Sequence, residues 1–238
     1  MSLVGAQALA GGEFAISPLS VDLGPQARSA AVTVTNEGKE KLNFQLEARE
    51  WTQDAAGKDQ YAETRDLIFF PKILSVEPGQ EGIIRVGLKT APTATERSYR
   101  LFIEELPGLV KPPPGSAAVI NVLIRFGLPI FSAPIKPEEG IAIETLEMKK
   151  GLVTFAARNT GNRRQVVRGL HLRGAGSSGE AVYSLDLADR YILAGVLKPY
   201  STTLTAAQCQ KIAVLSVEMK TDKVSDLRKL EVNRTMCP

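Results

Sequence analysis

The stretch AAVINVLIRFGLPIFSAP, residues 117–134, combines strand-like alternation with an unusually apolar composition. Every second side chain is large and apolar, whereas the intervening set is mixed. The apolar set is Ile120, Val122, Ile124, Phe126 and Leu128, and the mixed set is Val119, Asn121, Leu123, Arg125 and Gly127. One face of such a strand can cover the protein's own core. The pattern therefore raises the question of what the other apolar side chains cover.

The composition is that of a folded protein large enough for two domains of ordinary size. The chain has 238 residues, of which 44% are apolar and 23% are charged, and its formal net charge is +3. Such a small positive excess does not provide the electrostatic footprint of a nucleic-acid-binding protein. The sequence contains no apolar run of about 18 residues, so no segment is predicted to span a membrane.

The first residues, MSLVGAQALAGGEF, resemble the end of an export signal. Ala8-Leu9-Ala10 fits the small-residue pattern that precedes a signal-peptidase cleavage site, although no charged region or full apolar region comes before it. We interpret residues 1–12 as a residual signal-peptide end, with a flexible Ala-rich tail as the alternative. In an exported protein Cys209 and Cys237 can form a disulfide, and two free thiols are the alternative.

Strand signals dominate the first half of the chain. Segments such as SAAVTVTNEG and LNFQLEAREWTQ alternate with a period of two and end in turn residues. KPPPG, residues 111–115, is a loop before the apolar strand, because three prolines donate no backbone hydrogen bonds. About seven strands by residue 131 predict an immunoglobulin-like β-sandwich over residues 13–132, without the Cys…Trp…Cys spacing of antibody domains.

A second series of strands follows the Pro-rich, charged segment SAPIKPEEG, residues 132–140. We place the domain boundary here, with a C-terminal domain over residues 133–238. LVTFAARNTG, from Leu152, echoes AVTVTNEG, from Ala31, which indicates two sandwiches of the same type. No long helical period occurs. The predicted fold is therefore all-β, with two immunoglobulin-like domains.

The residues that carry catalysis in other proteins form no recognisable set. His171 is the only histidine and lies in strand-like alternation, which favours a half-buried structural residue over a metal ligand or a catalytic base. GAGSSG, residues 174–179, lacks the Lys-Ser/Thr of a phosphate-binding loop. Five arginines lie close together in sequence and indicate a solvated basic edge, because no aromatic residues for base stacking lie among them. They are Arg158, Arg163, Arg164, Arg168 and Arg173.

Four segments resemble the periplasmic chaperones of the chaperone–usher pathway in order and spacing. They are NFQLEAREWTQD, DLIFFPKILSVEPGQEGIIRV, YRLFIEELP and VLIRFGLPIFSAP. The resemblance covers residues 13–134, and LIFFPKILSVEPGQ and LIRFGLPIF are its most specific parts. Residues 135–238 match only in general character. The Leu-Pro-Ile-Phe form at residues 128–131 is most similar to the archaic or alternative branch.

The resemblance implies an answer to the question of the apolar strand. Members hold two immunoglobulin-like domains at an angle with a cleft between them, and work in the periplasm without a cofactor or an enzymatic reaction. The last strand of the first domain lends its alternate apolar side chains to a pilus or coat subunit that lacks a strand of its own. An outer-membrane usher then receives the subunit. The lending side chains would be Ile120, Val122, Ile124 and Phe126.

The family also anchors the subunit's C-terminal carboxylate on basic residues, because the arginine fork matches a carboxylate. Better-known members use an Arg in the first strand and a Lys late in the lending strand. Neither position is basic here, since ISPLSVDLG has no basic residue and the late position falls near Pro129. We expect Arg100 to be the anchor, with Arg125 as a helper. Plain exposed strand residues are the alternative for both.

Two functional hypotheses follow. The first is a periplasmic chaperone that binds pilus subunits, passes them to an usher, and can dimerise through its exposed strand when it is free. The alternative is a structural or surface adhesion protein built from two immunoglobulin-like modules. The alternative predicts that the strand at residues 117–131 is covered within its own domain.

Overall fold

Strands account for almost all regular structure in residues 13–108 and 122–238, the parts of the chain that the computed structural model describes. The helical elements there are α1 (Ala206–Cys209) and a 3-10 helix (Arg234–Met236). The strands are β1 (Phe14–Ser17), β2 (Val21–Leu23), β3 (Ser29–Asn36), β4 (Leu42–Gln53), β5 (Asp59–Glu63), β6 (Leu67–Phe70), β7 (Ile73–Val76), β8 (Glu81–Leu88), β9 (Arg97–Glu105), β10 (Arg125–Ser132), β11 (Ala142–Lys149), β12 (Leu152–Arg158), β13 (Gln165–Ala175), β14 (Ala181–Leu187), β15 (Tyr191–Ile192), β16 (Leu197–Thr203), β17 (Val214–Thr221) and β18 (Ser225–Glu231). The predicted all-β fold of two immunoglobulin-like sandwiches is confirmed.

The chain forms two compact units. Among the described residues, the first is built from residues 13–51, 61–92, 97–108 and 122–133, and the second from residues 52–60, 93–96 and 134–238. Each unit has a separate apolar core formed by the inward-facing residues of its strands. This is the expected result of period-two alternation, because one face of each strand is buried against the opposing sheet.

In the first unit, a four-stranded sheet has the order β1-β3-β8-β6. The other sheet has the order β2-β10-β9-β4-β5, and β7 also pairs with β4. Inward-facing residues from both sheets, among them Val34, Phe44, Ile84 and Leu101, are completely buried. These side chains fill the space between the sheets and fix which face of every strand points inward.

The N-terminal segment FAISPLSVDLG, which alternates like one strand, forms two. β1 pairs with β3 in the four-stranded sheet, and β2 runs parallel to the end of β10 in the other sheet. The chain passes between the sheets at Pro18, which has no N–H to continue the ladder. Pro71 separates β6 from β7 in the same manner, so the first unit has more and shorter strands than the sequence predicts.

Within the described residues, the apolar strand begins later than the alternation suggests. The sequence predicts a strand over residues 117–131, of which 117–121 lie outside the described residues. β10 starts at Arg125, and residues 122–124 have no regular structure. Glu105 is the last residue of the neighbouring strand β9 and is opposite Ile124. Beyond that point β9 provides no backbone for pairing, so the ladder ends there.

In the second unit, a sheet of order β11-β12-β16 packs with one of order β14-β13-β17-β18, and β15 pairs with β13. Phe155, Leu172, Leu215 and Val217 are at the centre of its core. Cys209, at the end of α1, forms a disulfide with Cys237 after the 3-10 helix. The disulfide attaches the end of the chain to the buried side of α1.

The two units contain the same asparagine turn. In the first unit, Asn36 Nδ2 donates to the carbonyl oxygens of Glu40 at 2.8 Å and Val76 at 2.9 Å, and Asn36 Oδ1 accepts from the Gly38 N–H at 2.9 Å. Asn159 repeats every one of these contacts in the second unit. Its partners are the Arg163 and Ile192 carbonyls at 2.7 and 2.9 Å and the Gly161 N–H at 3.0 Å.

Both asparagines are fully buried, so their amide groups satisfy backbone groups that water does not reach. They are also the asparagines of the two echoing segments AVTVTNEG and LVTFAARNTG. The short echo in the sequence thus corresponds to a repeated structural device at the end of β3 and after β12.

Asn36→Ala and Asn159→Ala are each expected to lower the free energy of unfolding by about 1–3 kcal/mol, because a buried carbonyl loses its donor. Urea unfolding measures the loss, with fluorescence of the single tryptophan, Trp51, reporting on the first unit and circular dichroism on both. Asn43→Ala is the control, since its contact with Ser75 is exposed. Equal losses for Asn36→Ala and the control would contradict this role.

Candidate functional site

The alternate apolar side chains of β10 begin inside the core of the first unit. Leu128 and Ile130 are completely buried. They are opposite Leu101 and Tyr99 of β9, which are also completely buried. This half of the row belongs to the protein's own sandwich.

Towards its N-terminal end, the same row leaves the core. Phe126 is half-buried and still packs against the core, whereas Ile124 is 40% exposed and Val122 is 55% exposed. Ile120, the first predicted member, lies outside the described residues. Exposure thus increases steadily along one row of apolar side chains, which leaves large apolar groups in water at its end.

One backbone edge of β10 is largely without a strand neighbour. Ile124 O accepts a hydrogen bond from the Glu105 N–H at 2.9 Å. In an antiparallel pair of strands every second residue exchanges hydrogen bonds with its partner, so Phe126, Leu128 and Ile130 bond to β9. The backbone groups of Arg125 and Gly127 therefore point to the opposite edge. There, β2 pairs with Ile130–Ser132 only, and no strand of the described residues pairs with residues 125–129.

Arg100 is on the other face of this sheet, near the middle of β9. It is half-buried, and its guanidinium carbon lies 3.8 Å from the centre of the Trp51 ring. Its Nη1 donates to the Gly127 carbonyl at 2.9 Å. A side chain at Gly127 would crowd Phe102, which lies 3.1 Å from the position of the missing Cβ. The glycine thus lets the side chains of β9 cover β10.

Arg125, the predicted helper, lies on the same face but in a different cross-strand row, that is, a different set of residues that are opposite one another in neighbouring strands. Its guanidinium is 3.1 Å from Glu104, 3.3 Å from Glu47 and 4.1 Å from the Phe102 ring centre. Two carboxylates therefore balance its charge. The ring of Phe102 occupies the row between Arg100 and Arg125, so the two arginines do not form one fork-shaped pair.

Arg49 is a third arginine on this face that the sequence did not identify. It is directly opposite Arg100 in the pairing of β4 with β9. It forms a hydrogen bond with Glu47 and is 4.0 Å from Glu63. The hydrogen bond to Glu47 raises the pKa of Arg49 above its usual value. The alternation of β4 indicates the face of Arg49, but its position beside Arg100 depends on the register.

The other residues considered in the sequence have structural partners. His171 lies in β13 and contacts Asp186 at 2.8 Å, as expected of a structural strand residue. Several arginines of the predicted basic edge are in ion pairs, namely Arg158 with Glu144, Arg163 with Glu139, Arg164 with Glu96 and Arg173 with Asp186. The described residues contain no group of three or more His, Cys, Asp or Glu side chains placed to hold a metal ion.

The N-terminal half of the chain matches a known protein family. The family is described as pili and flagellar-assembly chaperone, PapD N-terminal domain, and its match covers residues 13–138. The chain belongs to this family. It is a pilus assembly chaperone of the chaperone–usher pathway, as the four resembling segments predict. A comparison with curated proteins finds no match.

Solved structures similar to this chaperone are themselves pilus chaperones. The complex of chaperone CsuC with tip subunit CsuE, from archaic Csu pili of Acinetobacter baumannii, has a TM-score of 0.61, 19% identity, and coverage of 91% of this chain and 97% of that one. The Salmonella enterica SafB chaperone with the SafA pilin has a TM-score of 0.59, 13% identity, and coverage of 94% and 99%. The Class 5 fimbriae chaperone CfaA has a TM-score of 0.56, 18% identity, and coverage of 93% and 100%.

At these identities the likenesses show a shared fold, and each covers more than nine-tenths of this chain. The fold and family are those of non-enzymatic chaperones. Within residues 13–108 and 122–238, no helix has the length and apolar character that a membrane crossing requires.

The exposure gradient along β10 predicts that an Asp substitution lowers the free energy of unfolding more when the replaced side chain is more deeply buried. Val122→Asp is expected to change the free energy of unfolding by less than about 0.5 kcal/mol, because the side chain is mostly in water. Ile130→Asp should prevent the first unit from folding, because it places an unpaired carboxylate in the core. Urea unfolding followed by Trp51 fluorescence tests both variants. Strong destabilisation by Val122→Asp would mean that this side chain is covered within its own domain.

Proposed function

We propose that this chaperone binds incomplete immunoglobulin-like pilus or coat subunits in the periplasm by donor-strand complementation and delivers them to an outer-membrane usher. The capturing domain is residues 13–132, and residues 133–238 form the second domain. Ile120, Val122, Ile124 and Phe126 are the side chains that it lends. The observation that carries this proposal is the row of apolar side chains that leaves the core along β10, beside a backbone edge with which no strand of the described residues pairs at residues 125–129.

The physical basis is that an unfinished sandwich lacks one strand, and that β10 can supply one. A subunit that lacks a strand exposes an apolar groove and unpaired backbone groups, which promote edge-to-edge aggregation. A strand added from the chaperone pairs with that backbone and fills the groove with alternate side chains. Full burial of one such side chain contributes roughly 1.5–3 kcal/mol, less the ordering costs of association. Release would follow when another strand replaces that of the chaperone.

Arg100 is proposed as the anchor of the subunit's C-terminal carboxylate. Its guanidinium is held in place by Trp51 and by the Gly127 carbonyl, so little side-chain freedom remains to be lost on binding. Arg49, directly opposite in β4, adds a second positive charge to the same row. Arg125 is separated from Arg100 by the row that contains Phe102, which makes it a weaker helper than Arg49.

The alternative of a structural or adhesion module predicts that the β10 row is covered within its own domain. The 55% and 40% exposures of Val122 and Ile124 favour a lending strand instead. The same open edge would also be available to a second copy of the chain, so self-association of the free chaperone is part of this proposal. No cofactor is needed, because strand pairing involves no covalent chemistry.

Co-expression with a pilus subunit encoded beside this chain's gene tests the lending strand. The wild type should yield a soluble one-to-one complex, and the double variant Val122→Asp, Ile124→Asp should yield none, because charges cannot enter an apolar groove. The matched control is Ile68→Asp, Ile83→Asp, which changes two side chains of similar exposure, 56% and 53%, in the other sheet. Intact capture by the Val122, Ile124 variant would refute the lending strand.

Arg100→Ala tests the anchor in the same co-purification. The recovered complex is expected to fall at least tenfold, with partial recovery in Arg100→Lys, which restores charge but not the planar fork. Arg85→Ala, an exposed arginine of β8, is the control. Circular dichroism must show that each variant is folded. Unchanged capture by folded Arg100→Ala would remove Arg100 from the binding site.

A further inference from the structure

Three neighbouring strands bring three arginines and a central carboxylate onto one face of the first unit. The register places Arg49 of β4 opposite Arg100 of β9, and in the adjacent row it places Glu47 opposite Phe102. Arg125 of β10 lies one row further along, opposite Glu104. Glu47 is therefore adjacent to both the Arg49–Arg100 row and the row that contains Arg125.

The two oxygens of Glu47 are shared between two of these arginines. Glu47 Oε1 accepts a hydrogen bond from Arg49 Nη2, and Glu47 Oε2 lies 3.3 Å from Arg125 Nη2. The carboxylate thus bridges β4 and β10 across the ring of Phe102. Its arrangement is that of a small anion bound between two guanidinium groups, except that the anion belongs to the protein.

The Glu47 carboxylate reduces electrostatic repulsion between neighbouring strands. Like charges directly opposite each other in neighbouring strands are destabilising, and Arg49 and Arg100 are such a pair. Glu47, two residues before Arg49 on the same face of β4, offsets part of that repulsion. Any other carboxylate placed between the arginines would offset it equally well, since the interaction depends on charge and geometry.

We propose that Glu47 is an internal competitor for the chain-terminal carboxylate of the bound subunit. The inference rests on the proposed function and concerns the regulation of its anchoring site. On capture, the terminal carboxylate binds Arg100 and takes the place of Glu47 beside Arg49, and the Glu47 side chain turns into water. On release, Glu47 returns to the arginines, so these charges regain a carboxylate when the subunit leaves.

The exposure of the cluster makes such an exchange reversible. The Glu47 side chain is 41% exposed and those of Arg49 and Arg125 are 30% and 50% exposed. Ion pairs in contact with water are weak, and their partners are readily replaced by water or another ion. Exchange of one carboxylate for another at this place therefore has a small net cost, which suits a chaperone that must release its cargo.

The test compares binding of two synthetic peptides by isothermal titration calorimetry with the full chain. Both copy the final strand of the pilus subunit used for co-expression; one ends in a free carboxylate and the other in an amide. Glu47→Gln should bind the free-carboxylate peptide about 3- to 10-fold more tightly than the wild type, because two exposed ion pairs no longer compete. Binding of the amidated peptide should be unchanged.

Two variants control for charge and shape. Glu104→Gln removes a carboxylate that contacts Arg125 but not Arg49, and should change either affinity by less than about twofold. Glu47→Asp keeps the charge and should resemble the wild type more than Glu47→Gln does. The ionic-strength dependence of free-carboxylate peptide binding should be steeper in Glu47→Gln than in the wild type.

Unchanged or weaker binding of the free-carboxylate peptide to Glu47→Gln would overturn the inference. An equal gain in affinity for both peptides would also overturn it, because that result would show a general effect of net charge. Failure of the free-carboxylate peptide to bind either protein would overturn it as well. If the wild type captures the subunit in co-expression while any of these results holds, the inference alone fails. If the wild type captures no subunit, the proposed function fails as well.

Discussion

The antiparallel pairing of β10 with β9 is the constraint on which the arrangement of the site depends. It joins Arg125–Ser132 to Arg97–Glu104 in a single register without a bulge. That register fixes which β10 side chains enter the core, which backbone groups bond to β9 and which remain at the outer edge. A shift of one residue would exchange the two faces of the strand.

The two faces of this sheet carry different chemistry as a result. The inner face presents the apolar row that runs from Ile130 in the core to Val122 in water. The outer face presents the arginines, glutamates and aromatic rings of β4, β9 and β10. Both faces meet at the edge of β10 where no strand of the described residues pairs with residues 125–129, so apolar and charged groups lie close together there. Gly127 permits this closeness because it leaves room for the side chains of Phe102 and Arg100 above it.

Much of this fold can be predicted from the sequence, because local signals determine it. The alternation from Ile120 onward predicts which side chains share a face, and the echo of AVTVTNEG in LVTFAARNTG predicts two similar sandwiches. The four resembling segments predict the family to which the chain belongs. The start of β10 could not be predicted, since it depends on the end of β9 rather than on residues 122–124 themselves.

The arginine cluster could likewise be predicted from the sequence only in part. The absence of basic residues at the positions used by better-known relatives makes Arg100 the candidate anchor, and this assignment stays a prediction. No sequence pattern predicts that Arg49 lies beside Arg100. The two are neighbours only because β4 pairs with a strand more than forty residues away in sequence. The two carboxylates that balance Arg125 are equally invisible before the register is known. Sequence patterns identify faces of strands, whereas contacts across a sheet depend on the alignment of several strands.

The parallel pairing of β2 with β10 has a consequence for the order of folding. Val21 and Ile130, which are paired, lie more than one hundred residues apart in sequence. Ribosomal synthesis delivers the chain from its N-terminus, so β2 has no β10 to pair with until most of the first unit has been synthesised. Sheets that depend on such distant contacts fold slowly, in milliseconds to seconds rather than microseconds. A pilus assembly chaperone therefore passes through a stage in which its own first sandwich is unfinished.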